Sequence, residues 1–239
     1  MSAIARSACV WLLLSTGGAY AAEPPPTISP ASTPAEAGMV DIRDLVPDIE
    51  ESIHYAGSDN FTGAPVDGYA APRCYLRTSA AQALQRVETA LRKDGMRLMV
   101  WDCYRPARAV QAFVRWAHDL ADVRTKALHY PNLDKSALLG DYIAPISGHS
   151  KGATVDLTLM RCVPGGKGCL PLDMGTDFDF FDPLANTDSP TATPGQRANR
   201  QRLVKAMAAA GFVNYPQEWW HYTLPSAAEP GVIYDVPVE

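Results

Sequence analysis

Residues 153–160, ATVDLTLM, alternate without a break between apolar Val155, Leu157 and Leu159 and polar Thr154, Asp156 and Thr158. A two-residue period belongs to a strand with one buried face, so the chain must build a sheet and something to cover it. Helices can supply the cover. Thr78 and Ser79 are placed to cap a helix over 80–94, with Leu84, Val87 and Leu91 at helical spacing and Gly95 as its stop. MRLMVWD at 96–102 reads as a second strand. Pro106 suits the first turn of another helix, in which Val110, Phe113, Val114, Ala117 and Leu120 form an apolar stripe. Arg105 is therefore expected at a strand-to-helix junction. A third helix is expected over 198–210, stopped by Gly211, and a last strand over 219–224. Helices and strands mix without regular βαβ alternation. The expected class is α+β: a single domain with a small, mostly antiparallel central sheet flanked by helices.

The first 22 residues carry Arg6, an apolar core over 8–14 and Ala19-Tyr20-Ala21, which is the pattern of a cleavable signal peptide. No later stretch approaches the roughly 20 apolar residues of a membrane helix, so the protein is expected to be periplasmic or secreted, with no membrane span. Residues 23–38 are rich in proline and small polar side chains and read as an extended linker, leaving 39–239 as the folded domain. A net charge of −5 disfavours nucleic acid as a partner. Without Cys9, four cysteines remain in an oxidising compartment. Cys162 and Cys169 flank a glycine-rich reversal, which favours pairing them with each other and Cys74 with Cys103. Three connectivities are open, and so are a metal site and free buried thiols.

Two of the five histidines stand near carboxylates, in SGHSKGATVD at 147–156 and EWWHY at 218–222. A turn at Gly152 could fold His149 back beside Asp156, with His221 arriving from a neighbouring strand. Two imidazoles and a carboxylate around one point leave a fourth position open, which is what a catalytic zinc requires. Glu218 precedes His221 by three, and in a regular strand the two would face apart by about 10 Å. The chain must bend near Trp219 if both serve one site. Glu218 would then stand beside the ion without ligating it, as a proton carrier. Singly, a histidine in a polar loop is a surface residue, a tryptophan pair is core packing and a strand aspartate is solvated.

Together these residues resemble a family. S-x-H-x-x-G-x-x-x-D followed by E-x-W-H is similar to the zinc D-Ala-D-Ala dipeptidases of the VanX type and to the D,D-carboxypeptidases related to them. DNFTGAPVDGY at 59–69, WDCYRPARAV at 101–110, YPNLDKS at 130–136, MGTDFDFFD at 174–182 and EWWHYTL at 218–224 extend the likeness over nearly everything after residue 39. The resemblance implies one zinc ion per chain, carried on the sheet by His149, Asp156 and His221, with Glu218 as general base and acid. It implies that Arg105 steadies the oxyanion and that Asp102 orients Arg105. It also implies that Tyr55 and Asp179 contact the substrate ammonium, and Ser147 the peptide or carboxylate end of a small D,D-dipeptide. The sequon Asn60-Phe61-Thr62 falls inside one of these stretches and reads as structural.

The VanX-type resistance enzymes act in the cytoplasm, whereas this chain carries a leader and the insertion CVPGGKGC at 162–169. The expected role is therefore D-Ala-D-Ala hydrolysis outside the membrane, in cell-wall peptide scavenging or turnover. Two alternatives stand beside it: a D,D- or L,D-carboxypeptidase acting on peptidoglycan stem peptides, and a non-catalytic wall-binding module. Oligomeric state is not legible in the sequence.

Overall fold

The computed structural model describes residues 25–163 and 168–239. The expected signal peptide lies outside the described residues. In chain order the strands are Thr27–Ile28 (β1), Met39–Asp41 (β2), Glu50–Glu51 (β3), Tyr75–Arg77 (β4), Met96–Asp102 (β5), Thr154–Cys162 (β6), Cys169–Pro171 (β7), Val213–Asn214 (β8), His221–Thr223 (β9) and Val232–Ile233 (β10). The helices are Thr78–Arg92 (α1), Ala107–His118 (α2), Lys126–His129 (α3) and Pro194–Ala208 (α4).

The alternating segment becomes β6 and sits inside the main sheet, whose order is β3-β5-β6-β9-β8 with β7 also paired to β6. Within this sheet only the β3–β5 pairing is parallel, so the class is α+β with a mostly antiparallel sheet, as expected. One feature differs. Thr154, Asp156 and Thr158 are all buried, because β6 is flanked on both edges and its polar face looks into the protein. A polar face without solvent needs partners or a ligand.

The helices form where their apolar periods lie, with shifted ends. α1 begins at Thr78, so Thr78 is inside the helix and its hydroxyl donates to the Gly38 carbonyl instead of capping. Glu88 ties α1 to β5: its buried carboxylate accepts from the Leu98 amide, Arg92 and Arg97. α2 ends at His118, which leaves Leu120 exposed beyond it. α4 starts four residues before the expected 198, because Thr193 and Gln196 form a capping box that spans Pro194. Its Arg200, fully buried, donates to the Met174, Leu184 and Asn186 carbonyls and so holds the 174–186 segment in place.

The stretch expected as a linker is not free of the domain. Thr27–Ile28 pairs with Val232–Ile233, and Ala37 is buried in the core. Asn60 is buried too; its amide donates to the Gly57 and Ala64 carbonyls while its oxygen accepts from Thr62. That is a structural role for the sequon. Both expected disulfides are present, Cys74–Cys103 and Cys162–Cys169, with Cα atoms 5.2 Å and 3.9 Å apart. Among the described residues no helix is long and apolar enough to cross a membrane.

At the sheet edge, Glu51 buries both carboxylate oxygens without a hydrogen-bond donor, with the half-exposed Arg43 at 3.2 Å and Asp41 and Arg73 nearby. Burial pushes this carboxyl up to about 7 from 4.5, against the pull of Arg43. The folded state therefore holds a proton that the unfolded chain has released, so stability falls as pH rises across that interval. Glu51→Gln abolishes the titration. After allowing for screening at exposed Arg43, the wild type is expected to lose about 2 kcal/mol more than the variant across this interval. Urea unfolding at pH 4.5 and pH 8 checks it, and parallel changes in the two proteins would contradict it.

Candidate active site

Asp156 on β6 is paired across one ladder with Asp102 of β5 and across the other with His221 of β9. Directly opposed residues of antiparallel strands share a face, so the three side chains project to one side. A bulge puts Asp102 there: the register shifts between Val100 and Asp102, with Trp101 as the extra residue. In an unbroken ladder Trp101 would stand opposite Asp156.

His149 arrives from the loop before β6. Ser147 Oγ accepts from the His149 amide at 3.3 Å, and the single turn Gly148–Lys151 closes at Gly152, whose φ is 69°. That conformation favours glycine, and a Cβ would lie 2.6 Å from Met39 Cε. The reversal brings His149 Nε2 to 3.2 Å from Asp156 Oδ2 and 3.2 Å from His221 Nδ1. His221 Nδ1 lies 3.1 Å from Asp156 Oδ1. On the far side of the ring, His149 Nδ1 is 2.6 Å from the Cys103 carbonyl. A carbonyl only accepts, so Nδ1 carries the proton and Nε2 turns a lone pair toward the other two groups.

Lone pairs converging in a buried place repel unless a cation lies among them. Asp156 Oδ1 is buried without a hydrogen-bond partner. Ligands of a tetrahedral zinc, at about 2.1 Å, stand about 3.4 Å from one another. Here the two nitrogens stand 3.2 Å apart and each lies 3.1–3.2 Å from one oxygen of Asp156, Oδ2 for His149 and Oδ1 for His221, and one donor atom from each residue can be chosen with all three within 4.8 Å of one another. Two nitrogens and one oxygen also suit zinc chemically, so the residues fit such an ion.

The remaining expected residues surround this cluster. The Glu218 amide donates to the Tyr215 carbonyl and the His221 amide to that of Glu218, so the chain bends before β9 as the spacing requires. Glu218 Oε2 consequently stands 3.4 Å from His221 Nδ1, and burial pushes its carboxyl up to about 7 against the pull of His221. Arg105 donates through Nε and Nη2 to Asp102 Oδ2, at 3.0 and 2.9 Å. Its guanidinium lies over both the Tyr55 and Phe113 rings, 5.1 and 4.9 Å from their centroids, which are themselves 4.9 Å apart. Tyr55 donates to Asp179 Oδ2 at 2.7 Å. Burial pushes the Asp179 carboxyl far up, and this residue alone among the described non-glycines has positive φ, 55°. His129, which contacts the Asp179 carbonyl at 3.0 Å, helps to hold that conformation.

Tyr55, Arg105, Ser147, His149, Asp156, Asp179, Glu218 and His221 all line one cavity of about 270 Å³. Asp102 sits behind it, fully buried. Two further residues belong to the arrangement. Tyr69 donates to Asp102 Oδ1 at 2.6 Å, and the Phe113 ring packs against the Arg105 guanidinium. Phe113 lies on the apolar stripe of α2, where the period alone does not separate a cavity wall from core. Tyr69 closes the DNFTGAPVDGY stretch without any polar spacing that would mark it.

The chain is similar in sequence to known proteins. A D-alanyl-D-alanine dipeptidase of Streptomyces coelicolor is 42% identical over 198 residues, 82% of this chain and 96% of the relative. The D-alanyl-D-alanine dipeptidases of Enterococcus faecium and Enterococcus faecalis are 36% and 35% identical, each over 85% of this chain and over 100% and 99% of the relatives. The family model of the M15 peptidases, described as D-Ala-D-Ala dipeptidase, matches residues 35–239. Matched from before β2 to its last residue, the chain belongs to the M15 peptidase family of D-Ala-D-Ala dipeptidases and is an enzyme of that family.

Proposed function

We propose that this protein is an exported zinc dipeptidase that hydrolyses D-Ala-D-Ala to two molecules of D-Ala, in scavenging or turnover of cell-wall peptides. The observation that carries the reading is the cavity itself, in which a His149–Asp156–His221 cluster, a free carboxylate and a held guanidinium face one small volume. Its relatives' names supply the substrate. The two disulfides are compatible with export.

His149, Asp156 and His221 would hold the zinc, which when bound supplies Lewis acidity toward water and the scissile carbonyl. Glu218 takes a proton from the attacking water as the carbon–oxygen bond forms. It returns that proton to the amide nitrogen as the carbon–nitrogen bond breaks, so atoms and charge balance. Arg105, fixed by Asp102, pairs with the negative charge growing on the carbonyl oxygen. Asp179, with Tyr55 donating to it, meets the substrate ammonium, and Ser147 lies toward the peptide or carboxylate end. The charge of a buried carboxylate is balanced by an ammonium and not by an amide. That selects a free dipeptide over a stem peptide and favours dipeptidase over carboxypeptidase. The occupied positions of Glu218 and Arg105 weigh against a wall-binding module, which needs neither.

The test combines metal content with alanine release from D-Ala-D-Ala, L-Ala-L-Ala and a pentapeptide ending in D-Ala-D-Ala. One zinc per chain and release from the first substrate alone are expected, with activity lost to a chelator and restored by zinc. Release from the pentapeptide at a rivalling rate would make the protein a carboxypeptidase.

A further inference from the structure

We infer that the Cys74–Cys103 disulfide is a positioning element of the metal site: it fixes the carbonyl that sets the orientation and tautomer of His149. This rests on the reading that His149, Asp156 and His221 hold zinc.

β5 ends at Asp102, so Cys103 lies beyond the last pair of its ladder and is not held by the sheet. Yet the peptide it begins is critical. The Cys103 carbonyl accepts a hydrogen bond from His149 Nδ1 at 2.6 Å, and the side chains on either side of that peptide, Asp102 and Arg105, are themselves joined. The Arg105 amide donates to the His149 carbonyl and the Tyr104 hydroxyl to the Val236 carbonyl, and a second segment, 74–75, holds the stretch at Cys103 and the Tyr104 amide. The Tyr104 amide donates to the Tyr75 carbonyl at 2.9 Å, and the fully buried disulfide joins Cys103 to Cys74. Cys74 is anchored in turn, its carbonyl accepting from the Ile42 amide at 3.0 Å. The bond thus carries the rigidity of the β2–β4 pair to the back of the His149 ring.

Groups that hold a metal-bound histidine from behind change metal affinity by about 10- to 100-fold. The other disulfide offers an internal comparison. Cys162–Cys169 closes the far end of β6, six residues from Asp156 and so about 20 Å away, and touches no residue of the site.

Zinc affinity is measured by competition with a chromophoric chelator on the full-length oxidised protein and on the C74A/C103A and C162A/C169A variants. The first variant is expected to bind zinc at least about tenfold more weakly and the second within twofold of wild type. Equal affinity in C74A/C103A would overturn the inference while leaving the zinc reading intact. A wild type that binds no zinc would overturn both. Should C74A/C103A fail to fold, the wild type itself gives the answer through reciprocity. If the disulfide favours zinc tenfold, zinc favours the disulfide tenfold, raising its resistance to reduction by about 30 mV in a thiol buffer. Trapping of Cys74 and Cys103 thiols with and without free zinc reads this shift, and identical potentials would refute the linkage.

Discussion

Glu218→Gln is expected to lower kcat on D-Ala-D-Ala by about a thousandfold, within the range found for a lost acid–base group, while leaving one zinc per chain. Glutamine keeps the volume and the backbone turn, in which the Glu218 amide donates to the Tyr215 carbonyl. It removes only the ability to take and return a proton. The carboxylate is not one of the three atoms that enclose the candidate ion, since those are supplied by His149, Asp156 and His221. Metal content should therefore be indifferent to the change, and KM should move little because no ground-state contact is lost. Loss of zinc together with turnover would instead make Glu218 a ligand. Undiminished turnover would assign the proton transfers to some other group. The same substitution in a mere binding module would alter nothing measurable beyond local polarity.

The strands and helices that frame this site are legible in the sequence because their signal is periodic. β5 coincides with the expected 96–102, and β6 follows the alternation at 153–160 and runs two residues further. What the period does not carry is what lies on the other side of a face. The Thr154–Asp156–Thr158 face looks solvated in one dimension, yet is enclosed because β9 arrives from some 65 residues later to pair with it. The bulge at Trp101 is equally silent, although it decides that Asp102 and not Trp101 faces Asp156. Local chemistry reads better than long-range chemistry. Gly152 announces the reversal that returns His149, and the bend before His221 follows from the three-residue spacing to Glu218. Tyr69 and the Cys103 carbonyl are found only in space: one is an aromatic in a loop, and the other is a backbone atom that no sequence pattern distinguishes.

Removing Arg105 should have two separable consequences, and separating them tests its assignment. Arg105→Ala is expected to lower kcat on D-Ala-D-Ala by about 10²- to 10³-fold, the usual loss for one group that stabilises an oxyanion. It should also destabilise the fold by about 3 kcal/mol or more, because Asp102 is fully buried and loses the cation that pairs with it. Burial already pushes the Asp102 carboxyl up against the pull of Arg105, so without that pull the folded protein must either keep a costly charge or take up a proton. The double variant Asp102→Asn with Arg105→Ala removes both charges and leaves an amide that still accepts from Tyr69. Much of the stability should return in urea unfolding, while turnover stays low. Arg105→Lys retains a cation but not the fork that engages Asp102 through Nε and Nη2, and it should recover only part of the lost rate. If the double variant recovered turnover along with stability, Arg105 would be a structural counter-ion for Asp102, and the oxyanion would need another partner. A guanidinium packed against two aromatic rings and 3.7 Å from Asp156 lines the same cavity as Glu218 and His221, a place that balancing Asp102 alone would not require.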